Sequence, residues 1–321
     1  MTKEKTLVCI SASYSKSDQL FAEIKKYSSG NDEHFAYWEE FAFTAELLPE
    51  CDAVVVFNTP NENINIKADP EKVIAFMMEP GDKNLHPWMF KGLHQYSRVY
   101  SPAKNSTNTI ISHGFLGWYL QQDYNYLKDL SVPEKTKAIS CIASGLKFLK
   151  GHRTRLNFVN TLKDTFPQID FFGKDEHYLP GKIDGLLPYR YSIAIENTAA
   201  DNYFTEKIND CFLAYTVPVY YGCKNIGKYF PERSFITIDI EDPSRAIKKI
   251  AEVISQDDWQ SRLPYITEAR QLVLNKYQPL AGAANILRQI RSSEKKSIVL
   301  KPVLPGIVEK MKKGLAKLLK N

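Results

Sequence analysis

The stretch IENTAADNYFTEK, residues 195–207, places Glu196, Asn197, Tyr203, Glu206 and Lys207 between an apolar run, YSIAI, and an amphipathic one, INDCFLAY. Open parallel sheets bind ligands beyond the carboxyl ends of their strands, so a strand ending in Glu196 and Asn197 delivers two polar groups to that rim. The helix that follows begins near Tyr203 or Thr205. Its first turn has amide donors without intrahelical partners and a partial positive charge, which together suit a phosphate. Lys207 adds a full positive charge at that end, and Glu206 and Tyr203 offer hydrogen bonds to ligand hydroxyls. Ile208, Cys211, Phe212 and Tyr215 recur at the spacing of one helix face and anchor it. This is chemistry for a phosphorylated ligand that also carries hydroxyls. The same residues fit an N-capped helix whose Glu206 and Lys207 simply face water, and spacing alone leaves both readings open.

The elements that must position these residues alternate. LVCI (7–10), AVVVF (53–57), VIAFMM (73–78) and RVY (98–100) read as strands, with a helix whose clearest part is EEFAFTAELL (39–48). DYNYLKDLSVPEKTK (123–137) is polar, contains Pro133 and reads as a linker. The alternation then restarts with AISCIA (138–143), a helix over 152–166, IDFF (169–172), YSIAI (191–195), a helix near 204–215, VPVYY (217–221) and SFITI (234–238). Helical stretches around 243–255 and 257–292 close the globular part, with Trp259, Leu263, Ile266, Leu272 and Tyr277 as packing residues. A chain of 321 residues suits two such α/β units, 1–132 and 133–292, followed by a tail, 293–321.

Charge is uneven along the chain. Residues 286–321 hold ten Lys or Arg against two acidic residues, whereas the remainder holds 32 against 35. The basic character therefore belongs to the tail, and no basic face of the kind a nucleic-acid binder carries is indicated in the body. In the tail, Ile307, Val308, Met311, Leu315, Leu318 and Leu319 share one helical side and five lysines the other. That pattern describes a helix lying on an anionic membrane surface through residues 303–321, with a helix docked on the body as the other reading. The five cysteines include no CxxC pair and most sit in apolar runs such as LVCI and ISCIA, which points to buried thiols rather than a zinc site. MTKEKTLVCISAS is too short an apolar stretch for a signal peptide, so the expected location is cytoplasmic, peripheral on the inner face of the membrane.

The segment YRYSIAIENTAADNYFTEKINDCFLAYTVPVYYG, continued by NIGKYFPERSFITIDIED (225–242), resembles the signature of the α-1,3-fucosyltransferases, glycosyltransferase family 10. The resemblance implies a GT-B architecture, two Rossmann-like domains facing a cleft, with GDP-fucose on the C-terminal one. It implies donor contacts from Glu196, Asn197, Tyr203, Glu206 and Lys207. HRTRLNFVNTL (152–162) resembles the family helix that begins with a phosphate-binding arginine, which Arg155 fits best and Arg153 less well. FMMEPG (76–81) resembles the stretch that carries the catalytic base, which implies Glu79. Thr198, Ile195, Pro80 and His113 depart from the family's usual residues and leave the acceptor open.

The implied reaction is transfer of fucose from GDP-fucose to a hydroxyl of a glycan acceptor by direct displacement with inversion. Its expected setting is bacterial surface glycan or lipopolysaccharide synthesis. A carboxylate partly stripped of water is suited to taking the acceptor's proton. Arg155, Lys207 and the helix start would stabilise the leaving diphosphate. No cofactor or essential metal is expected, because the acids of DIED (239–242) read as a strand end and a helix cap. The competing readings are the same fold with another sugar nucleotide, and a non-catalytic sugar-nucleotide-binding protein at the membrane.

Overall fold

The computed structural model describes residues 5–143, 145, 150–173 and 178–303. The apolar run TLVCISA forms β1 (Thr6–Ala12), and α1 (Ser17–Lys25) follows with Leu20 and Ile24 buried beneath it. The chain then makes β2 (Gly30–Asn31), β3 (Ala36–Trp38), β4 (Phe41–Thr44), β5 (Ala53–Phe57), β6 (Ile64–Ala68), β7 (Val73–Phe76), β8 (Arg98–Ser101) and β9 (Thr109–Ile111). Eight of these strands form one sheet in the order β2-β3-β4-β1-β5-β7-β8-β9. From β4 to β9 all pairs are parallel, and β2 and β3 add an antiparallel edge.

After α2 (Tyr124–Asp129) a second sheet begins. It is built from β10 (Lys137–Ile142), β11 (Asp170–Phe172), β12 (Tyr189–Ile195), β13 (Val217–Tyr221) and β14 (Ile236–Thr237), all parallel, in the order β11-β10-β12-β13-β14. Its helices are α3 (Lys150–Thr165), α4 (Glu206–Leu213), α5 (Pro243–Gln256), α6 (Trp259–Leu272) and α7 (Pro279–Leu287). Strands covered on both faces read as continuous apolar runs, and AVVVF and YSIAI are fully buried for that reason. Asp242 caps α5 by accepting from the Arg245 amide at 3.2 Å, with Pro243 in the first turn where its missing N–H costs nothing.

Four sequence expectations need correction. The helix expected over 39–48 is instead the turn and strand leading through β4, whose Phe41, Ala42, Phe43 and Thr44 are all buried. A strand enclosed between β3 and β1 has no polar face, so its pattern does not alternate and resembles a helix stripe. Glu39, at φ 50°, supplies the left-handed turn into it. The linker over 123–137 contains α2, capped by Asp123, which accepts from the Tyr126 amide at 2.8 Å, and anchored by buried Tyr124 and Leu127. The single helical stretch over 257–292 is divided into α6, a π-helical turn (Val273–Tyr277) and α7, because Pro279 cannot donate a backbone bond and Gln278 before it is extended. The tail assigned to 293–321 opens with β15 (Lys296–Leu300), which pairs antiparallel with β6 in a separate two-stranded sheet and so returns the chain to its first half. The basic helix expected beyond it, in 304–321, lies outside the described residues.

The packing residues named on α6 and the π-helical turn after it divide by depth. Trp259, Ile266 and Tyr277 are buried, and Leu263 and Leu272 are partly buried against the same core. All five cysteines are free and buried. No helix among the described residues is long and apolar enough to cross a membrane.

Candidate functional site

The strand order of the second sheet reverses between β10 and β12, and in doubly wound sheets the crevice outside the carboxyl ends at that point is where ligands bind. α3 follows β10 and carries Arg155; β12 ends at Ile195, directly before Glu196 and Asn197. In the first sheet β1 is flanked by β4 and β5, so its reversal lies beside β1. Tyr14 follows β1, Asn58 follows β5 and Glu79 follows β7. The two rims face each other across a cavity of about 710 Å³. Glu79 lines it from the first sheet, and Arg155, Asn197, Tyr203, Glu206 and Lys207 line it from the second.

Glu196 is the one predicted site residue that lies behind the cavity wall. It is 1% exposed and accepts from both the amide and the hydroxyl of Thr205, at 2.8 and 2.9 Å through Oε1. Thr205 is the N-cap of α4, its hydroxyl accepting from the Lys207 amide. Glu196 therefore fixes where α4 begins, and its second oxygen lies 3.2 Å from Lys207 Nζ. Lys207 also pairs with Glu206 at 3.0 Å. Burial opposes the ammonium, but Glu196 and Glu206 outweigh it and hold Lys207 above its usual pKa. Burial works against the Glu206 carboxylate too, yet Lys207 and Lys182 keep it ionised below its usual value. For Glu196, burial is the larger effect and pushes its pKa up.

Arg155 is 4% exposed and donates to Asn197 Oδ1. Burial lowers its pKa, opposed by Cys141, Glu196 and Glu206; a guanidinium remains charged near neutral pH. The contact depends on a glycine. A Cβ on Gly151, one turn before Arg155, would lie 1.7 Å from the Asn197 carbonyl oxygen, so only glycine lets α3 approach β12 this closely. Tyr203 is 8% exposed, and burial, with Glu196 and Glu79, keeps its phenol protonated. Arg153, the weaker arginine candidate, is exposed and does not line the cavity.

On the opposite wall, Asn58 takes a left-handed conformation, φ 66°, and its Oδ1 accepts from the Met78 amide at 2.8 Å. This bond sets the path of the chain as β7 gives way to Glu79. Gly81, at φ 78°, completes the turn, and a Cβ there would meet Ala103 at 2.4 Å. The Glu79 side chain is 40% exposed and lies 3.6 Å from His86 Nε2.

Sequence reasoning missed two charged residues. Lys182 lines the cavity and pairs at 2.6 Å with Asp210, which is 0% exposed. Burial pulls Lys182 down, but Asp210 and Glu206 outweigh it and hold its pKa up. Burial pushes the Asp210 carboxyl the other way, upward. The 2.6 Å geometry favours the charged pair, since either member alone would be a desolvated polar group. Asp210 also accepts from the Tyr119 amide at 3.0 Å, and Asn209 donates to the Leu116 and Gly117 carbonyls at 3.0 and 2.9 Å. α4 thus holds the first half of the chain as well as the cavity. Asp210 lies on the side of α4 opposite the stripe of Ile208, Cys211, Phe212 and Tyr215, where an acidic residue reads as facing water, and nothing in GKIDG pointed to its partner. Asp210→Ala is expected to destabilise the protein by about 3–5 kcal/mol, the cost of leaving a buried partner uncompensated. Urea unfolding measures it, and a loss below about 1 kcal/mol would reduce the pair to the importance of a surface one.

A second tie between the halves is aromatic. His113 is 2% exposed, stacks on Phe204 with centroids 4.9 Å apart, and meets Tyr229 and Tyr277 edge-on. Burial lowers its pKa to about 3, so it packs as a neutral ring whose Nδ1 accepts from the Phe115 amide at 3.1 Å. Nearby, left-handed Asn202 donates to the Pro102 carbonyl at 3.2 Å and pairs with Asn225 at 2.9 Å.

Residues 132–263 match the family model described as glycosyltransferase family 10 (fucosyltransferase) C-term. A fucosyltransferase-like protein of Arabidopsis thaliana is 30% identical over 154 residues, 45% of this chain and 29% of its own length. The 4-galactosyl-N-acetylglucosaminide 3-alpha-L-fucosyltransferase FUT6 of Gorilla gorilla gorilla is 22% identical over 224 residues, 66% of this chain and 60% of its own. The chain therefore spans less than two thirds of either relative. A crystal structure of α1,3-fucosyltransferase with GDP superposes with a TM-score of 0.53 at 16% identity, covering 87% of this chain and 94% of that one, which is a likeness of fold.

Proposed function

Because this chain is a glycosyltransferase of family 10, with the GT-B fold, we propose that it moves fucose from GDP-fucose to a hydroxyl of a glycan acceptor with inversion. The observation that carries the reading is that a carboxylate from one sheet and cations from the other, Arg155 buried and Lys207 and Lys182 partly so, line a single cavity. The acceptor oxygen attacks the anomeric carbon while the bond from that carbon to the β-phosphate oxygen breaks. The acceptor's proton passes to Glu79, and GDP leaves with the bonding electron pair. Arg155, Lys207 and Lys182 oppose the charge that develops on the diphosphate, where fixed cations act most strongly. Glu206, held ionised beside Lys207, accepts from ribose or fucose hydroxyls; Tyr203 and Asn197 orient the same ligand. Glu196 acts through Thr205 and Lys207.

Incubation with a panel of GDP- and UDP-sugars, scored by release of GDP or UDP, tests the reading. Release from GDP-fucose that exceeds release from the other donors is expected. Preference for another donor would keep the fold and overturn the sugar, and GDP-fucose bound without any transfer would favour a sensor.

No essential metal takes part in this scheme, since protein cations face the diphosphate. Full turnover in excess EDTA is therefore expected, and loss restored by Mn²⁺ would overturn that part. The acceptor resembles N-acetyllactosamine within a bacterial surface glycan or lipopolysaccharide, and the basic tail holds the enzyme on the inner face of the membrane. Deleting residues 303–321 is expected to release the protein from anionic vesicles while a soluble acceptor is still turned over. Vesicle binding that survives the deletion would refute the tail's role.

A further inference from the structure

We propose that Tyr14, Glu23 and Tyr119 form the subsite that holds a neutral sugar ring of the acceptor, an inference that rests on the transferase reading above. All three line the cavity from the first half of the chain, whereas Arg155 and Lys207 line it from the second. Tyr14 and Tyr119 are 48% and 62% exposed, and they are the large exposed apolar residues of the described chain that border the cavity. A half-exposed ring at a cavity mouth offers an apolar face to the C–H side of a pyranose, and its hydroxyl offers a hydrogen bond.

Burial raises the pKa of both phenols, and the charge of Glu23 adds to it at each; Tyr119 also acts on Tyr14, so the three groups share one neighbourhood of the cavity. Glu23 projects from α1, one turn before the chain reaches Lys26, and burial raises its pKa. Lys26 opposes part of that rise, donates to the Trp118 carbonyl at 2.7 Å and lies 5.8 Å from the centre of the Tyr119 ring, bracing the segment that carries it. The Tyr119 amide is held in turn by Asp210. Two aromatic faces around a carboxyl group suit vicinal hydroxyls of a neutral sugar. A carboxylate-bearing sugar held between these rings would meet Glu23, while the cations of the same cavity, Arg155, Lys182 and Lys207, are taken by the diphosphate in the reading above.

Saccharide binding to the full chain, with and without GDP, tests the subsite by calorimetry or saturation-transfer NMR. The probes are methyl β-galactoside, N-acetyllactosamine and glucuronate. The neutral probes are expected to bind and glucuronate to bind at least about tenfold more weakly. Tyr119→Ala, Tyr14→Ala and Glu23→Gln are each expected to weaken N-acetyllactosamine by about tenfold. GDP affinity within about twofold of the parent shows that the variants are folded, and Tyr119→Phe should retain most of the binding. Glucuronate binding as well as the neutral sugars, no binding of either neutral probe, or unchanged affinity in all three variants would overturn the subsite. A parent chain that binds a neutral sugar but no GDP counts instead against the donor reading.

Discussion

Lys207→Ala lowers kcat by about 10²–10³, the range seen when one preorganised group facing developing charge is removed. Lys207 sits one residue into α4, and its ammonium is held by Glu196 at 3.2 Å and Glu206 at 3.0 Å. Those carboxylates both fix its position and keep it charged. The geometry therefore exists before a ligand arrives, and no reorganisation is needed as the diphosphate gains charge. The effect should fall mainly on kcat, because the leaving group is more negative in the transition state than in the bound donor. Arg155→Ala should produce a loss of similar size, and Arg155→Lys should recover little of it, since an ammonium cannot reproduce the planar fork that reaches Asn197. Steady-state GDP release with saturating donor measures both. A Lys207→Ala enzyme within about threefold of the parent would remove the diphosphate from this end of the cavity.

Glu79→Gln is the second large effect, with kcat expected to fall by about 10²–10⁴. The amide keeps the size of the side chain but cannot take the acceptor's proton. Glu79 lines the wall opposite Arg155 and Lys207, as a base must if the acceptor approaches the face away from the leaving group. Its position is set by the Asn58 bond to the Met78 amide and by the turn at Gly81, so the variant should leave the loop and the GDP affinity intact. His86 Nε2 lies 3.6 Å from the carboxyl group. Unchanged transfer would place the base elsewhere, and Glu23, the other carboxyl group from the first half of the chain in this cavity, would be the next to replace.

These two expectations differ in how far they could be read from the chain. The handover from β12 to α4 was legible because its signals are local: a buried apolar strand, the Thr205 cap, and the stripe of Ile208, Cys211 and Phe212 all act within a few residues. Arg155 and Glu79 entered through resemblance of short stretches. What those stretches could not convey was the distance between them, because it depends on how two sheets meet.

The amino-acid sequence by itself determined the two-sheet class of the fold and the residues offered at each strand end. Periodicity, caps and prolines act on neighbouring residues whatever the rest of the chain does. Only the tertiary structure decided that Phe41–Thr44 is a strand, that Lys296–Leu300 pairs with β6, that Glu196 supports α4 from behind the wall, and that Lys182 joins the cavity through Asp210. Each depends on a partner outside its own run of sequence. A strand enclosed on both sides loses its polar alternation, and a buried charge is tolerable only beside the opposite charge that folding brings to it.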